Sequence, residues 1–203
     1  MDRFRFAREA RPTSRTWILA KTFAQTVIFW SGFLALLPAI IWRLEDHLGL
    51  AGWRFSTAWN LPLGCVLFAL GGTLGLTSGY RMAIHGKGTP LPMDCARELV
   101  LIGPYRYVRN PMAIGGLTQG FAVGLAMGSP AVMLVPFVGG PIWNHWVRPW
   151  EEADLERRFG ESYRHYRQSV TCWLPRWTGY DPPQFQPASQ TNESVPPSES
   201  SRQ

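Results

Sequence analysis

The sequence predicts an all-α integral membrane protein with four transmembrane helices. Three stretches carry this prediction because each is long, apolar and nearly free of charged side chains: residues 22–42, 61–80 and 112–147. The hydrocarbon core of a bilayer is about 30 Å thick, and a helix rising about 1.5 Å per residue crosses it in about 20 residues. The averages for the whole chain, 46% hydrophobic and 17% charged, therefore conceal a membrane domain between two polar ends.

The first two stretches each predict one span. Residues 22–42 contain no ionisable side chain and follow a basic segment, residues 1–16. This apolar stretch is too long for a secretory signal and lacks a small-residue cleavage site at its end, so we interpret it as a retained anchor. Residues 61–80 are also free of charge and end at Arg81.

The third stretch predicts a helical hairpin. Its 36 residues hold one ionisable side chain, His145, and a single helix of that length would measure about 54 Å, far more than a bilayer needs. The chain must turn back, and the run Gly128-Ser129-Pro130 is the natural break because proline favours the start of a helix. A second irregularity is expected at 139–141. Residues 17–147 are thus predicted to form the transmembrane domain.

The distribution of basic residues predicts the orientation. Four crossings place both termini on one side, and of the 20 Lys and Arg residues only Arg43 and Arg54 lie in the loop between the first two spans. By the positive-inside rule the other side is cytoplasmic, which in a bacterium means the inner membrane. Because the charges flank the spans and form no basic-aromatic recognition module, the net charge of +6 does not indicate nucleic-acid binding.

Glycines recur every four residues in two of the predicted spans. One series is Gly71, Gly75 and Gly79, and the other is Gly116, Gly120, Gly124 and Gly128. Such stripes let helix backbones approach closely in lipid, so close helix packing is the main interpretation. Admission of a ligand between the striped helices is the alternative.

A cytoplasmic loop, residues 85–111, is the first candidate for a functional segment. It is rich in Gly, Pro and Tyr, and long loops in compact proteins are commonly functional. Tyr105 and Tyr107 offer flat apolar faces with a polar tip, which suit a pocket for an aromatic base. The alternative is a loop that only anchors on lipid headgroups.

The second candidate is the segment 148–178, which predicts an amphipathic helix on the cytoplasmic surface. Its other faces carry arginines that can meet anionic lipid. The acidic pair Glu151 and Glu152 stands at its start, where carboxylates are also favoured by the helix dipole alone. Residues 179–203, rich in Pro, Ser and Gln, are predicted to be disordered and dispensable for chemistry. The apolar face consists of Leu155, Phe159, Tyr163, Tyr166 and Val170.

Three strings stand in order along these two segments: GKGTPLP, ELVLIGPYRYVRNPM and EEADLERRFGESYRHY. Together they resemble the integral-membrane methyltransferases that include isoprenylcysteine carboxyl methyltransferase and the phospholipid N-methyltransferases, over about residues 86–176. The resemblance implies S-adenosylmethionine as cofactor, bound on the cytoplasmic side, and a lipidic or hydrophobic small-molecule acceptor. It favours O-methylation of an isoprenylcysteine-like carboxylate over N-methylation of a phospholipid or methylation of a small thiol. Consistent with this, no strand, glycine-rich turn and helix of a Rossmann domain occur in the sequence.

The resemblance also implies a set of site residues. Ala113 stands where an aromatic hydroxyl is usual, and Arg148 lies near the place where prenylcysteine-methylating members hold the substrate carboxylate. Arg148 and Glu152 are the predicted catalytic residues. A carboxylate acceptor needs no base, whereas an amine must lose a proton, which Glu151, Glu152 or a tyrosine could receive. The predicted cofactor-binding residues are Arg97, Glu98, Leu99, Val100, Tyr105, Asn110, Pro111, Met112, Ala113, Glu151 and Glu152.

The sequence leaves two other functions open. Membrane sterol reductases that use NADPH share a tyrosine-rich loop before an Arg-x-Pro turn, but the paired glutamates are more typical of the methyltransferases. A non-enzymatic membrane protein is the other alternative, although no carboxylate within the spans marks an ion path. The three cysteines, Cys65, Cys95 and Cys172, have no metal-ligand spacing, so neither a metal site nor a disulfide framework is expected.

Overall fold

The computed structural model describes residues 14–89 and 96–182, and every regular element within them is helical. The predicted all-α class is confirmed for these residues. Most of the basic N-terminus, residues 90–95 of the loop and most of the predicted tail lie outside the described residues. The helices are α1 (Arg15–Ser31), α2 (Leu37–His47), α3 (Asn60–His85), α4 (Pro111–Met127), α5 (Pro130–Ile142) and α6 (Arg148–Ser169).

Helices α1 and α2 form one rod of 33 residues, Arg15–His47, which contains the predicted first span. Ser14 begins it, since its hydroxyl accepts a hydrogen bond from the Trp17 amide at 3.3 Å. A π-helical turn, Gly32–Leu36, joins the two parts just before Pro38, whose missing N–H interrupts the regular ladder. Within the described residues, this rod and α3 are long and apolar enough to cross a membrane, and α4 is a shorter apolar helix.

Helices α3 and α4 pack backbone to backbone. A Cβ atom added to Gly71 would lie 2.7 Å from the carbonyl oxygen of Gly115, and one added to Gly115 would lie 2.6 Å from that of Gly71. Only glycine permits this approach. The predicted stripe is therefore right for Gly71 but wrong for Gly116 and Gly120, where an added Cβ would meet nothing within 4 Å.

The hairpin between α4 and α5 forms at the predicted break. Gly128 adopts the left-handed conformation with φ +65° that ends α4. The hydroxyl of Ser129 then accepts a hydrogen bond from the Val132 amide at 3.1 Å, and Pro130 is the first residue of α5. A second π-helical turn, Trp143–Val147, follows the predicted irregularity at 139–141 and leads directly into α6.

A buried ion pair closes the end of the bundle opposite the loop. The carboxylate of Glu45 accepts hydrogen bonds from Arg54 Nε at 2.8 Å and from the Ser129 hydroxyl at 2.6 Å. The Phe55 amide donates to the Gly128 carbonyl at 3.0 Å. These bonds tie the end of α2 and the connection to α3 to the tip of the hairpin.

The apolar face predicted for the segment 148–178 is the face of α6 that packs inward. Tyr163, Tyr166 and Val170 form a buried cluster with Tyr180, and Leu99, Leu101, Leu155 and Phe159 pack against it. Because Tyr180 is buried and Arg106 donates to its carbonyl oxygen at 3.0 Å, the folded region extends beyond the predicted boundary at residue 178. On the outer face, Arg164 pairs with Glu156 at 2.7 Å.

Candidate active site

The end of the loop and the start of α6 meet at the carboxylate of Glu152. Arg109 donates to Glu152 Oε1, Arg148 Nη2 lies 2.9 Å from the same oxygen, and Arg167 Nε lies 3.2 Å from Oε2. The side chains of Arg109, Arg148 and Glu152 are only 12%, 9% and 13% exposed. Arg167 is half exposed and also pairs with Glu156 at 3.3 Å, so Arg109 and Arg148 are the two buried guanidinium groups that depend on Glu152 for neutralisation.

Glu151, the neighbouring residue, has the opposite environment. Within residues 14–89 and 96–182, its carboxylate has no hydrogen-bond or ion-pair partner. Burial raises its pKa to about 7, with Arg148 opposing the shift and Glu152 adding to it. The helix runs without a break from α5 through the π-helical turn into α6. Glu151 is therefore not at a free helix N-terminus, and the helix dipole does not explain its position.

Tyr105 is buried beneath this acidic pair. It belongs to a short 3₁₀ turn, Gly103–Arg106, and its carbonyl oxygen accepts a hydrogen bond from the Tyr166 hydroxyl at 2.7 Å. Burial raises the pKa of Tyr105, and the charges of Tyr166 and Glu151 add to the shift, so the phenol remains protonated and can donate. Its own hydroxyl is buried and has no partner among the described residues.

Asn110 supplies a second buried donor. It is the N-cap residue of α4, a position where an asparagine side chain commonly accepts from a helix amide, but here the side chain makes no capping bond. Its Nδ2 atom is buried without a partner in the described part of the chain. Pro111 opens the helix, Met112 lies against Gly79 of α3, and the half-buried Ala113 supplies no hydroxyl. N-capping of α4 therefore does not explain why an asparagine occupies position 110.

Three of the four remaining predicted residues, Glu98, Leu99 and Val100, border an open cleft of about 490 Å³, and Arg97 does not. It lies between the start of α1, the end of α3 and the segment 98–102, within the size range of small-molecule sites. Glu98 pairs with Lys87 there, and the Arg97 amide donates to the Gly86 carbonyl at 2.6 Å. The lining includes Glu98, Leu99 and Val100, whereas Tyr105, Asn110 and Glu151 are not part of it. The structure thus divides the predicted site residues into two groups.

The junction of the loop, α4 and α6 suits a polar organic ligand. Buried polar atoms are nearly always hydrogen-bonded in native proteins, yet the Tyr105 hydroxyl and the Asn110 amide lack partners among the described residues. Two hydrogen-bond donors beside an ionisable carboxyl fit a ligand with hydroxyl, carboxylate and amino groups, such as S-adenosylmethionine. No group of His, Cys, Asp or Glu in the described ranges could hold a metal ion.

Two residues of the site were not predicted from the sequence. Arg109 immediately precedes Asn110, and Arg167 was assigned to the lipid-facing side of the amphipathic helix, yet both bind Glu152. The only sequence signal was a basic residue next to the Asn-Pro turn. The pairing joins residues 43 positions apart, which local periodicity does not indicate.

Two helices that are long and apolar enough to cross a membrane, among the described residues, are typical of a helical membrane protein. The family model for phospholipid methyltransferase matches residues 59–162, which are 104 of the 203 residues, and the chain belongs to this family. It is accordingly a membrane-associated enzyme with methyl transfer activity. Comparisons with curated proteins and with solved structures give no match.

Proposed function

We propose that this protein is an S-adenosylmethionine-dependent methyltransferase that methylates the headgroup amine of a phospholipid. The observation that carries the proposal is the environment of Glu151, a half-buried carboxyl whose pKa is raised to about 7 and which no described residue binds. An ammonium group must lose a proton before it can accept a methyl group, and a carboxyl of this pKa is suited to take it at neutral pH. The phospholipid methyltransferase family membership supports the same acceptor class.

The sequence favoured a carboxylate acceptor held by Arg148, and the contacts of Arg148 weigh against it. Arg148 is bound through Nε and Nη2 to Glu152, at 3.0 Å and 2.9 Å, and is therefore engaged before any acceptor arrives. Its role becomes one of orienting Glu152 within α6, which Arg109 then joins to the loop, and it also limits how far the pKa of Glu151 rises. Glu152 is likewise a positioning residue in this proposal, because three arginines occupy it.

The chain's own residues would bind and orient the cofactor and shield it from water. Asn110 and Tyr105 would hold polar groups of the cofactor through their buried donors, while Pro111 and Met112 form the wall beside them. When bound, the cofactor supplies a methyl group already activated on a sulfonium sulfur. Alignment and exclusion of water are then the main requirements. The Tyr163, Tyr166 and Tyr180 cluster closes the site on the side of α6, and Glu151 accepts the acceptor's proton. Glu98, Leu99 and Val100 stay proposed as cofactor neighbours.

The proposal includes four crossings with the site end in the cytoplasm. Helix α4 and the α5 rod through Val147 hold 17 and 18 residues, so each measures about 25 Å and reaches most of a bilayer core. At the opposite end, Arg54 is bound by Glu45 and Asp46, which leaves little net positive charge there. In a background without Cys65, Cys95 and Cys172, labelling of the Gly52→Cys variant, at an exposed position of the connection between α2 and α3, with an impermeant maleimide only from the outer side would agree with this orientation.

A single assay tests the function. Purified protein in nanodiscs containing phosphatidylethanolamine is given methyl-labelled S-adenosylmethionine, and the lipids are identified by mass spectrometry. We expect N-methylated phosphatidylethanolamine, with label that resists mild alkali. Label in no lipid, together with no binding of S-adenosylhomocysteine by calorimetry, would refute the proposal.

One observation favours a second acceptor. Two buried arginines, Arg109 and Arg148, share the single carboxylate of Glu152, and this excess positive charge would attract an anionic group such as an isoprenylcysteine carboxylate. The same assay with a prenylated cysteine distinguishes the two acceptors. Methyl ester formation appears as label released as methanol by mild alkali, whereas N-methyl label is retained.

A further inference from the structure

Two polar side-chain atoms of α1 are buried without partners among the described residues, one on the buried Thr22 and one on the partly exposed Gln25. Thr22 and Gln25 lie three residues apart on the inward face, and the Thr22 hydroxyl and the Gln25 Oε1 atom have no hydrogen-bond partner among the described residues. The residues around them, Phe23, Val27 and Ile28, are exposed apolar side chains. Helix α1 also precedes the region that the family model matches, residues 59–162, so family membership assigns these two residues no role.

Two contacts with α3 locate this polar pair. The ring of Trp30 lies against Gly75, where an added Cβ would come within 3.0 Å of Trp30 Cζ2. Fifteen residues earlier on the same rod, Arg15 shares the open cleft with Ile84 and His85 at the end of α3. Thr22 and Gln25 therefore lie between these two points, facing the last third of α3.

The same part of α3 borders the candidate active site. Gly79 lies between Gly75 and Ile84, and an added Cβ there would be 3.5 Å from the methyl carbon of Met112. Met112 belongs to the first turn of α4, two residues after Asn110. The polar pair on α1 is thus at the level where α3 meets the start of α4.

The cost of burying these groups favours a ligand. A buried polar group without a partner loses its hydrogen bonds to water and destabilises the fold, and no water replaces them inside a bilayer. A hydroxyl oxygen and an amide carbonyl oxygen are both acceptors, and together they suit an ammonium group without neutralising its charge. A second copy of the chain does not explain them, because both atoms face the interior of this protomer.

We propose that Thr22 and Gln25 bind the headgroup ammonium of the acceptor phospholipid and so select a lipid that still carries N–H donors. The proposal rests on the phospholipid amine acceptor proposed above, and it adds residues from a helix outside the family region. Lipids with three N–H donors bind both oxygens, whereas a fully methylated headgroup has none to offer and leaves them unsatisfied.

Binding of short-chain phosphatidylethanolamine to the full-length protein in detergent tests this. Thr22→Val and Gln25→Met keep the side-chain volume and remove the acceptor oxygen. We expect each to weaken phosphatidylethanolamine binding about tenfold, the equivalent of one lost hydrogen bond to a charged group. Binding of S-adenosylhomocysteine should stay unchanged, and the melting temperature without lipid should not fall, because each substitution removes an unsatisfied buried oxygen. Thr77→Val, at an exposed position of α3, is the matched control and should bind both ligands as the wild type does.

Thr22→Ser keeps the hydroxyl and should restore the affinity that Thr22→Val loses, which separates hydrogen bonding from packing. Unchanged phosphatidylethanolamine affinity in both Thr22→Val and Gln25→Met would overturn the proposal. Because this assay measures binding alone, it gives its answer even if the wild type transfers no methyl group. Absence of methyl transfer would refute the proposed function. The role of Thr22 and Gln25 would still be decided by the affinities of the variants for phosphatidylethanolamine.

Discussion

Glu151 and Glu152 are adjacent in the sequence and have opposite environments in the structure. Glu152 neutralises Arg109, Arg148 and Arg167, whereas the Glu151 carboxylate is half-buried without a partner among the described residues. Successive residues of a helix point about 100° apart, so only one of the two can face the arginines. The acidic pair predicted as one unit therefore separates into a positioning residue and a candidate base.

Glu151→Gln should lower the methyl transfer rate about 10²-fold at neutral pH, the usual contribution of a general base. In the wild type the rate should rise with pH up to about 7, where the carboxylate becomes the main form, and then level off. The Glu151→Gln variant should not show this rise of the rate with pH. The measurement is the rate of labelled lipid formation between pH 5.5 and 8.5, and parallel profiles for the two proteins would contradict the assignment.

The same group makes stability depend on pH. Its folded pKa of about 7 is above the ordinary 4.5, so the folded protein holds the proton more tightly than the unfolded chain does. The contribution of Glu151 to the stability of the folded protein should therefore be largest below pH 4.5 and should fall as the pH rises to about 7. The difference in melting temperature between wild type and Glu151→Gln, measured across this range in detergent, should follow that curve. A constant difference would show that the pKa is not raised.

Glu152→Ala should destabilise the protein by about 3–5 kcal/mol, because it leaves buried arginines without a counter-charge. The exposed pairs of Glu156 make Glu156→Ala the control, and it should change the melting temperature little. The measurement is thermal unfolding in detergent. Loss of cofactor binding in Glu152→Ala would then be interpreted only in protein shown to be folded, and equal melting temperatures for both variants would contradict the structural role.

At the scale of elements, the contact between α3 and α4 places the start of α4 beside the loop. Backbone atoms of Gly71 and Gly115 meet where any side chain would intervene. Gly116, the next residue, faces open space. The four-residue spacing identified the close-packed series of α3 and Gly124 of α4, but it is wrong for Gly116 and Gly120 and misses Gly115, because the direction of each residue depends on how α4 is rotated against its neighbours.

Gly115→Ala should therefore cost about 1–3 kcal/mol of stability, as overpacking does. Gly116→Ala is the matched control in the adjacent position and should leave stability unchanged or slightly higher, since alanine is the better helix former. Thermal unfolding of both variants in detergent measures the difference. Equal destabilisation of the two would show that α4 is rotated differently.

At the scale of the whole molecule, polar contacts close both ends of the bundle. Glu45, Arg54 and Ser129 join the α1–α2 rod to the hairpin at one end. Arg109 and Glu152 join the loop to α6 at the other. The helical rods between them rely mainly on apolar and glycine contacts, so these two networks fix how the rods are assembled.

The end opposite the site allows a direct test of this arrangement. In a double-mutant cycle, Glu45→Gln and Ser129→Ala should be non-additive by about 0.5–3 kcal/mol, as expected for directly bonded residues. Glu45→Gln with Ser78→Ala is the control cycle, since Ser78 bonds within α3 to Leu74 and should be additive with Glu45. Unfolding in detergent provides the free energies. Additivity in both cycles would contradict the contact between the α1–α2 rod and the hairpin.

The sequence by itself determined the helical membrane class, the hairpin break at 128–130 and the two segments that form the site. These follow from hydrophobic length, from proline and glycine chemistry and from a local motif, all of which are properties of neighbouring residues. Tertiary structure decided which glycine packs, which glutamate is neutralised, and that Arg109 and Arg167 belong to the site. It also decided that the side-chain oxygens of Thr22 and Gln25 are buried in the helix bundle. Each of these depends on the rotation of a helix about its axis and on partners far apart in the sequence, such as Arg109 and Glu152, which are 43 positions apart. Burial is set by that packing rather than by the local pattern.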